Sequence, residues 1–320
     1  MRVFVTGAGG FIGRAVAERF RARGAELAGV DFAADPERGV VAGDVSTPGP
    51  WQAAVDGADI VVHTAAIVSN AYGADDSWRV NVLGTRNVLD AAAAAGVRRF
   101  VHISSVRAFS DLGFPDGVDE HHPVQPDGNP YVDTKIASEQ VVLQAHAAGE
   151  VECAIVRPGD VYGPGSRPWT VLPLEIIESN RFLLPAMGRG VFSPVYVDDL
   201  VSGLVLAAER PEAAGQVFTI GGPQAVPAKE FFAHYFQMLG KRGPLCLPTP
   251  LAVAAARVAG AAERLRGNRT EINAASMLYL ARPGGYSIEK ARRTLGYEPQ
   301  VALDEGMRRT ETWLRERGLL

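Results

Sequence analysis

Cysteine is scarce in this chain: 320 residues hold two, Cys153 and Cys246, 93 residues apart and without metal-ligand spacing. Cys153 sits in the apolar run Val151-Glu-Cys-Ala-Ile-Val156 and reads as a buried thiol, which fits a reducing cytoplasm. Histidine is also sparse. Of six, only His121 and His122 adjoin, in Asp119-Glu-His-His-Pro123, where proline favours a loop, so no metal site is expected. No uncharged run reaches the ~18 residues that a bilayer span needs. Strand residues begin at Arg2-Val3 with no apolar leader before them, so neither a membrane span nor a signal peptide is expected. A formal net charge of −4 gives no reason to expect a nucleic-acid partner. The late arginines Arg257, Arg264, Arg266 and Arg269 are interrupted by acidic and apolar residues and read as the solvated side of a helix. Internal repeats and low-complexity linkers are absent.

What is present is ample core material, 47% hydrophobic residues against 21% charged, in a chain long enough for one large domain or two ordinary ones. Short apolar strands alternate with helical patterns through the first half, the signature of a parallel sheet with crossover helices. The expected strands are Val3–Thr6, Leu27–Val30, Val40–Ala42, Ile60–His63, Phe100–Ile103 and Ala154–Val156. The expected helices are Phe11–Arg23, a short one at Trp51–Val55, Asp75–Ala95 and Tyr131–Ala148. Beyond residue 157 prolines and glycines crowd in. A helix is expected near 170–180, strands at Pro194–Val197 and Val217–Ile220, a helix Asp199–Ala208 between them, and an alanine-rich helix Leu251–Leu265 in a mostly helical tail.

Two motifs carry chemistry. Val3-Phe-Val-Thr-Gly-Ala-Gly-Gly-Phe-Ile-Gly13 is a strand, a glycine turn and a helix start. Gly7 permits the sharp turn, Gly10 lets backbone approach a phosphate, and Gly13 lets helix pack on strand. Asp31 closes the second strand eighteen residues beyond Gly13, where a carboxylate accepts from adenosine ribose hydroxyls and repels a 2′-phosphate, so NAD is expected over NADP. Arg38 lies near as a competing phosphate partner, although a solvent-facing side chain suits it better. Asp44-Val45 ends the third strand where an adenine could rest; an ordinary turn aspartate before Ser46 fits equally well. Asn129-Pro-Tyr-Val-Asp-Thr-Lys135 puts the Tyr131 phenol and the Lys135 ammonium on one helical face, one turn apart. Ser104-Ser105 end the fifth strand at the carboxyl edge where open parallel sheets bind ligands. A phenol of pKa ~10 needs ~4 kcal/mol of help to work near neutrality, and a close ammonium could supply most of it. Such a phenol beside a bound dinucleotide implies hydride transfer.

This ordered set resembles the extended short-chain dehydrogenase/reductase superfamily, the NAD-dependent epimerase/dehydratase family, and within it 3β-hydroxysteroid dehydrogenase-like members. Asn81-Val-Leu-Gly-Thr-Arg-Asn-Val-Leu-Asp-Ala91, Arg157-Pro-Gly-Asp-Val-Tyr-Gly-Pro-Gly165, Tyr196-Val-Asp-Asp-Leu200 and Lys290-Ala-Arg-Arg-Thr-Leu-Gly-Tyr-Glu-Pro299 are similar to its further signatures. The resemblance implies a doubly wound α/β Rossmann fold with a smaller, mostly helical C-terminal substrate lobe. Residues 1–160 and about 191–225 would bind NAD, and 161–190 with about 226–320 would form the lobe. It implies a catalytic triad of Ser105, Tyr131 and Lys135. Cofactor contacts are expected at Gly7, Gly10, Phe11, Ile12, Gly13, Asp31, Asp44, Val45, Ala65, Ala66, Tyr131, Lys135, Pro158, Gly159 and Val161. Substrate contacts are expected at Val68, Ser105, Val106, Tyr131 and Phe192. A homodimer pairing through helices 76–95 and 131–148 is implied, although burial of Ile136, Val141, Val142 and Leu143 within one chain accounts for their apolarity nearly as well.

One departure bears on substrate. Sugar-nucleotide epimerases carry Arg-Asp-Phe just before Tyr-Val-Asp-Asp, and that arginine grips a diphosphate; here the positions read Phe192-Ser193-Pro194. The missing cation points to an uncharged, more apolar substrate, with Arg181 or Arg189 as possible substitutes. Leu247-Pro-Thr-Pro-Leu251, the alanine-rich helix and Tyr286-Ser-Ile-Glu-Lys290 look like those of bacterial 3β-hydroxysteroid dehydrogenase relatives, although lobe packing explains the apolar helix better than substrate contact. The leading expectation is an NAD-dependent alcohol dehydrogenase or ketone reductase. A nucleotide-sugar epimerase or dehydratase is the alternative, and a non-catalytic dinucleotide sensor the third.

Overall fold

The computed structural model describes residues 1–110, 115–267 and 270–320; Arg269 lies outside them. Its centre is a seven-stranded parallel sheet. The first six strands are β1 (Arg2–Thr6), β2 (Glu26–Asp31), β3 (Val40–Ala42), β4 (Ile60–His63), β5 (Arg99–Ile103) and β6 (Glu152–Pro158). The strand Gln216–Ile220 pairs with β6, and the spatial order from that edge is Gln216–Ile220, β6, β5, β4, β1, β2, β3. Strand order reverses at β1, which has β2 on one side and β4 on the other. Ligand crevices form at the carboxyl ends of the strands around such a reversal.

Buried β-branched residues run without alternation through the central strands, as a sheet covered on both faces requires. Val3, Phe4, Val5, Ile60, Val61, Val62, Phe100 and Val101 have no exposed surface. One face packs against the helices Phe11–Ala22 and Val197–Glu209, whose Val16, Phe20, Leu200 and Leu204 join Val3, Val5 and Val62 in one core. The other carries residues 74–94 and the helix Pro130–Ala147, with Val88, Leu89, Val142 and Ala145 against Phe4, Val61 and Phe100. Residues 74–94, expected as one regular helix, contain a π-helical turn at Arg79–Leu83.

The region after β6 holds more strand than the proline and glycine density suggested. Asp160–Tyr162 pairs with Pro194–Tyr196 in a separate two-stranded sheet, and Val191–Phe192 pairs with Val226–Pro227. An aromatic cluster of Trp169, Phe182, Phe192, Phe231, Phe232 and Phe236 fills the space among these short strands and the helix Ala228–Met238. In the alanine-rich helix Thr249–Leu265, Ala252, Ala256 and Gly260 are buried, while Arg257 and Arg264 are exposed, as is Arg266 beyond its end. Both cysteines are free, and burial pushes the Cys153 thiol up to about 12. Among the described residues no helix is long and apolar enough to cross a membrane.

Candidate active site

The glycine turn stands at the reversal point. Gly7 adopts φ +63°, a conformation that side chains disfavour, and its carbonyl accepts from Gly10 N at 2.9 Å. A Cβ on Gly13 would lie 2.1 Å from that same carbonyl oxygen, so the first turn of helix Phe11–Ala22 closes on the strand only with glycine there. The helix start has no side-chain cap, which leaves its first N–H groups facing the crevice as an anion site. Asp31 Oδ2 accepts from Gly9 N at 2.8 Å and Oδ1 from Phe32 N at 2.7 Å. Its carboxylate is therefore fixed at the rim of the turn, and each oxygen keeps a lone pair for a ribose hydroxyl. Across the reversal, Thr6 Oγ1 accepts from Thr64 N and Ala65 N at 3.1 and 3.2 Å, which holds Ala65 and Ala66 beside the turn. A dinucleotide fits this cradle of turn, helix start and Asp31 carboxylate.

Loop, helix and sheet meet at Asn81. This buried amide in the π-helical turn exchanges hydrogen bonds with Ile67 (N to Oδ1 2.8 Å, Nδ2 to O 3.1 Å) and donates to Thr134 Oγ1 at 3.0 Å. It thereby locks the loop after β4 to the helix Pro130–Ala147, which presents Tyr131 and Lys135. Asn129 caps that helix, accepting from Tyr131 N at 3.0 Å. Lys135 is buried and its Nζ donates to the Ile103 carbonyl at 2.8 Å, at the end of β5 and immediately before Ser104-Ser105. Burial holds its ammonium down at about 8, against the opposing pull of Glu139. Ser105 Oγ accepts from Arg107 N at 3.1 Å, leaving its own O–H to donate. Lys135 thus reaches the end of β5 just before Ser105, with Tyr131 one turn earlier on the same helix.

Several polar residues there were not expected as site residues, although Arg157 and Asp160 stand in the Arg157–Gly165 signature. Arg107, 8% exposed, lays its guanidinium 5.1 Å from the Tyr131 ring centroid and 4.9 Å from that of Tyr279. Its Nη1 donates to Asn70 Oδ1 at 3.0 Å, and Asn129 Nδ2 donates to the same oxygen at 3.0 Å. Asn70 in turn is tied to the C-terminal region, its N–H donating to Glu271 at 3.1 Å and its Nδ2 to Ser276 at 3.3 Å. Glu139, one turn beyond Lys135, forms a buried two-pronged pair with Arg157 at 2.8 and 2.6 Å. Asp160 is buried with Arg282, 3.5 Å away, and accepts from the Tyr279 hydroxyl. Burial raises Asp160 above the usual carboxylate range, against the lowering effect of Arg282. His63 and His102 stack in the sheet beneath Lys135. Burial first and the Lys135 charge second hold His63 down at about 3 and His102 well below its usual value, so both are neutral. Apart from the local Arg282–Tyr279 contact, these pairings are long-range, from 18 positions for Arg157–Glu139 to 206 for Asn70–Ser276.

The remaining expected positions divide. Pro158 ends β6, Gly159 and Val161 follow it, and Val106 begins the turn after Ser105. A cavity of about 200 Å³ lies there, lined by Val106, Gly159, Ser193, Thr219, Tyr286 and Ile288 among others. Val68 is exposed on the loop after β4. Asp44 acts as a turn aspartate, accepting from Ser46 N at 2.9 Å with Arg79 at 3.4 Å, while Val45 beside it is buried. Phe192 does not face open space: it is 1% exposed, its ring 4.3 Å from Phe231 and 4.9 Å from Trp169. The apolar packing of the aromatic cluster claims its ring, in place of the substrate contact expected there. Arg38, Arg181 and Arg189 are not buried.

The sequence pattern of the NAD dependent epimerase/dehydratase family matches residues 3–221, glycine turn through seventh strand. The chain belongs to this family. It is 31% identical to a 2-alkyl-3-oxoalkanoate reductase of Stenotrophomonas maltophilia, over 97% of this chain and 98% of that one. It is 33% identical to a 3 beta-hydroxysteroid dehydrogenase/Delta 5-->4-isomerase of Mycobacterium tuberculosis, over 96% of this chain and 88% of that one. Among solved structures, a dTDP-glucose 4,6-dehydratase of Streptomyces venezuelae with NAD bound superimposes with TM-score 0.78 at 25% identity, covering 100% of this chain and 98% of that one. The chain is an NAD-dependent oxidoreductase of the extended short-chain type.

Proposed function

We propose that this enzyme interconverts a secondary alcohol and its ketone on an uncharged, largely apolar substrate of 3β-hydroxysteroid-like character. The observation that carries the reaction type is the buried Lys135 ammonium at the end of β5, on the helix that presents Tyr131 and beside Ser105. When bound, NAD supplies the hydride acceptor for oxidation and the donor for reduction. The Gly7–Gly13 turn would hold its pyrophosphate, and Asp31 would hold the adenosine ribose while repelling a 2′-phosphate. Tyr131 takes the hydroxyl proton during oxidation and returns it during reduction. Ser105 O–H donates to the same substrate oxygen, and the Lys135 charge favours the phenolate that Tyr131 must become.

Charge accounting supports the apolar substrate. Arg157 and Arg282, the guanidinia of the β6 end and the C-terminal region, are each paired with a buried carboxylate, Glu139 and Asp160. A diphosphate would have to displace those pairs or draw on the exposed Arg181 or Arg189 instead. Both named relatives, a reductase and a dehydrogenase, agree with the reaction type. We further read residues 1–160 with about 191–225 as the NAD-binding unit and the remainder as the substrate lobe, in a cytoplasmic homodimer. Trp78 and Leu83, about half exposed on the 74–94 helical run, support such a pairing surface, which light scattering at several concentrations tests. The substrate reading is tested by NADH production or consumption with steroid alcohols and ketones, small aromatic ketones and nucleotide sugars, alongside melting shifts with uridine and thymidine diphosphates. Turnover of the apolar compounds without a diphosphate shift is expected. A diphosphate shift with sugar-nucleotide turnover would replace it by the epimerase or dehydratase reading, and no redox turnover on any compound by the sensor.

A further inference from the structure

We propose that Arg107 is a second positioning cation for proton transfer, its guanidinium held against the Tyr131 ring so that the phenolate is favoured by a charge that does not titrate. The inference rests on the reading of Tyr131 as the proton-transfer group. Three observations support it. The guanidinium lies 5.1 Å from the Tyr131 ring centroid with Tyr279 on a second side at 4.9 Å, in a place only 8% exposed, where a charge acts through little water. Its orientation is built: Asn70 Oδ1 accepts from Arg107 and from Asn129, the residue that caps the Tyr131 helix, so one amide sets cation and phenol relative to each other. Asn70 is itself fixed by Glu271 and Ser276, so docking of the C-terminal region completes the arrangement.

The need for such a charge follows from Lys135. Its burial, which makes its charge effective, also drives its ammonium down to about 8, so above that pH its help fades. An arginine keeps its proton throughout. Other charged groups around this point among the described residues have roles of their own. Glu139 on the same helix is taken by Arg157, and His63 and His102 in the sheet are neutral. Asp160, on the β6 side, is taken chiefly by Arg282 and Tyr279 and more weakly feels the Arg107 charge. Glu271 lies behind Asn70. Asp133, two residues beyond Tyr131 and on the other side of the helix, is engaged by the N–H groups of Asp127 and Gly128.

The test compares wild type with Arg107→Met, Arg107→Gln and Arg107→Lys by the pH dependence of kcat/KM for alcohol oxidation. Tyr131 ionisation is followed separately in the NAD-free protein as the ultraviolet titration difference between each form and its Tyr131→Phe counterpart. The neutral variants are expected to move both midpoints up by about 1–2 pH units, and Arg107→Lys to restore most of the shift. Should Arg107→Met fail to fold, Arg107→Gln, which keeps a donor for Asn70, gives the same reading. Unmoved midpoints in a folded neutral variant overturn the proposal. A rise in KM confined to carboxylate-bearing substrates, with midpoints unmoved, also overturns it and makes Arg107 a substrate anchor. If Tyr131→Phe itself keeps full turnover, the underlying assignment of Tyr131 fails instead, which is a distinct result.

Discussion

Replacing Lys135 by Met should make this protein more stable and far less active. The ammonium is buried, and its value falls from 10.5 to about 8, with desolvation the leading cause and Glu139 opposing it. That drop corresponds to ~3 kcal/mol. Because a lysine is charged below its pKa, the sign is destabilising: below pH 8 the folded state keeps a proton that the unfolded chain holds more tightly. The cost is fully present at neutral pH and disappears as pH climbs from about 8 towards 10.5, so this group makes stability rise with pH across that window. Methionine fills similar volume without the charge. It gives up the hydrogen bond to the Ile103 carbonyl, worth ~1 kcal/mol. The net gain at pH 7 is therefore ~2 kcal/mol, or about 3 °C in melting temperature for a chain of this size. Turnover moves the other way, because a phenol returned to pKa ~10 is ionised in only about one molecule in a thousand at pH 7, so kcat should fall by about 10²–10³-fold. Scanning calorimetry at pH 7 and pH 10 checks the first claim, and steady-state kinetics the second. A variant that melts below wild type at pH 7, or whose advantage is the same at both pH values, refutes the reasoning.

Other outcomes follow from the same geometry. Glu139→Gln leaves Arg157 buried without its counter-charge and should cost about 3–5 kcal/mol, read as a lower urea midpoint with unchanged slope. Asp31→Ala removes the carboxylate that repels a 2′-phosphate, so the ratio of kcat/KM for NAD over NADP should drop by at least about tenfold; an unchanged ratio would remove Asp31 from cofactor choice. Phe192→Ala opens a cavity in the aromatic cluster and should cost about 3–5 kcal/mol in stability with little change in KM, whereas a raised KM at normal stability would return this side chain to the substrate wall.

Much of this was legible because it is local. β3 and β4 have the bounds read from Val40–Ala42 and Ile60–His63, since short apolar runs between turn residues carry their own signal. The glycine turn, Asp31 and the Tyr131/Lys135 face depend on spacing within one element or its neighbour, which is why the sequence carries them; Asp31 closes on the turn at Gly9, and Lys135 reaches the end of β5 at Ile103. Phe192 misled because its neighbours in sequence match a substrate-binding position, while its neighbours in space, Trp169, Phe231 and Phe232, are apolar rings. The strand Asp160–Tyr162 was hidden in a proline- and glycine-rich stretch because its pairing partner is Pro194–Tyr196, more than thirty residues on. Arg107 carried no signal in the sequence. Its importance comes from Asn70, Tyr131 and Tyr279, three residues from three other segments, and no periodicity links them.

The most direct measurement is turnover and NAD affinity determined together on Tyr131→Phe, using an alcohol or ketone that wild type accepts. The account predicts that kcat falls by at least about 10²-fold while the NAD dissociation constant stays within about threefold, because only the proton-exchanging hydroxyl is lost. Turnover near the wild-type rate with intact NAD binding would contradict it and require a different acid/base group.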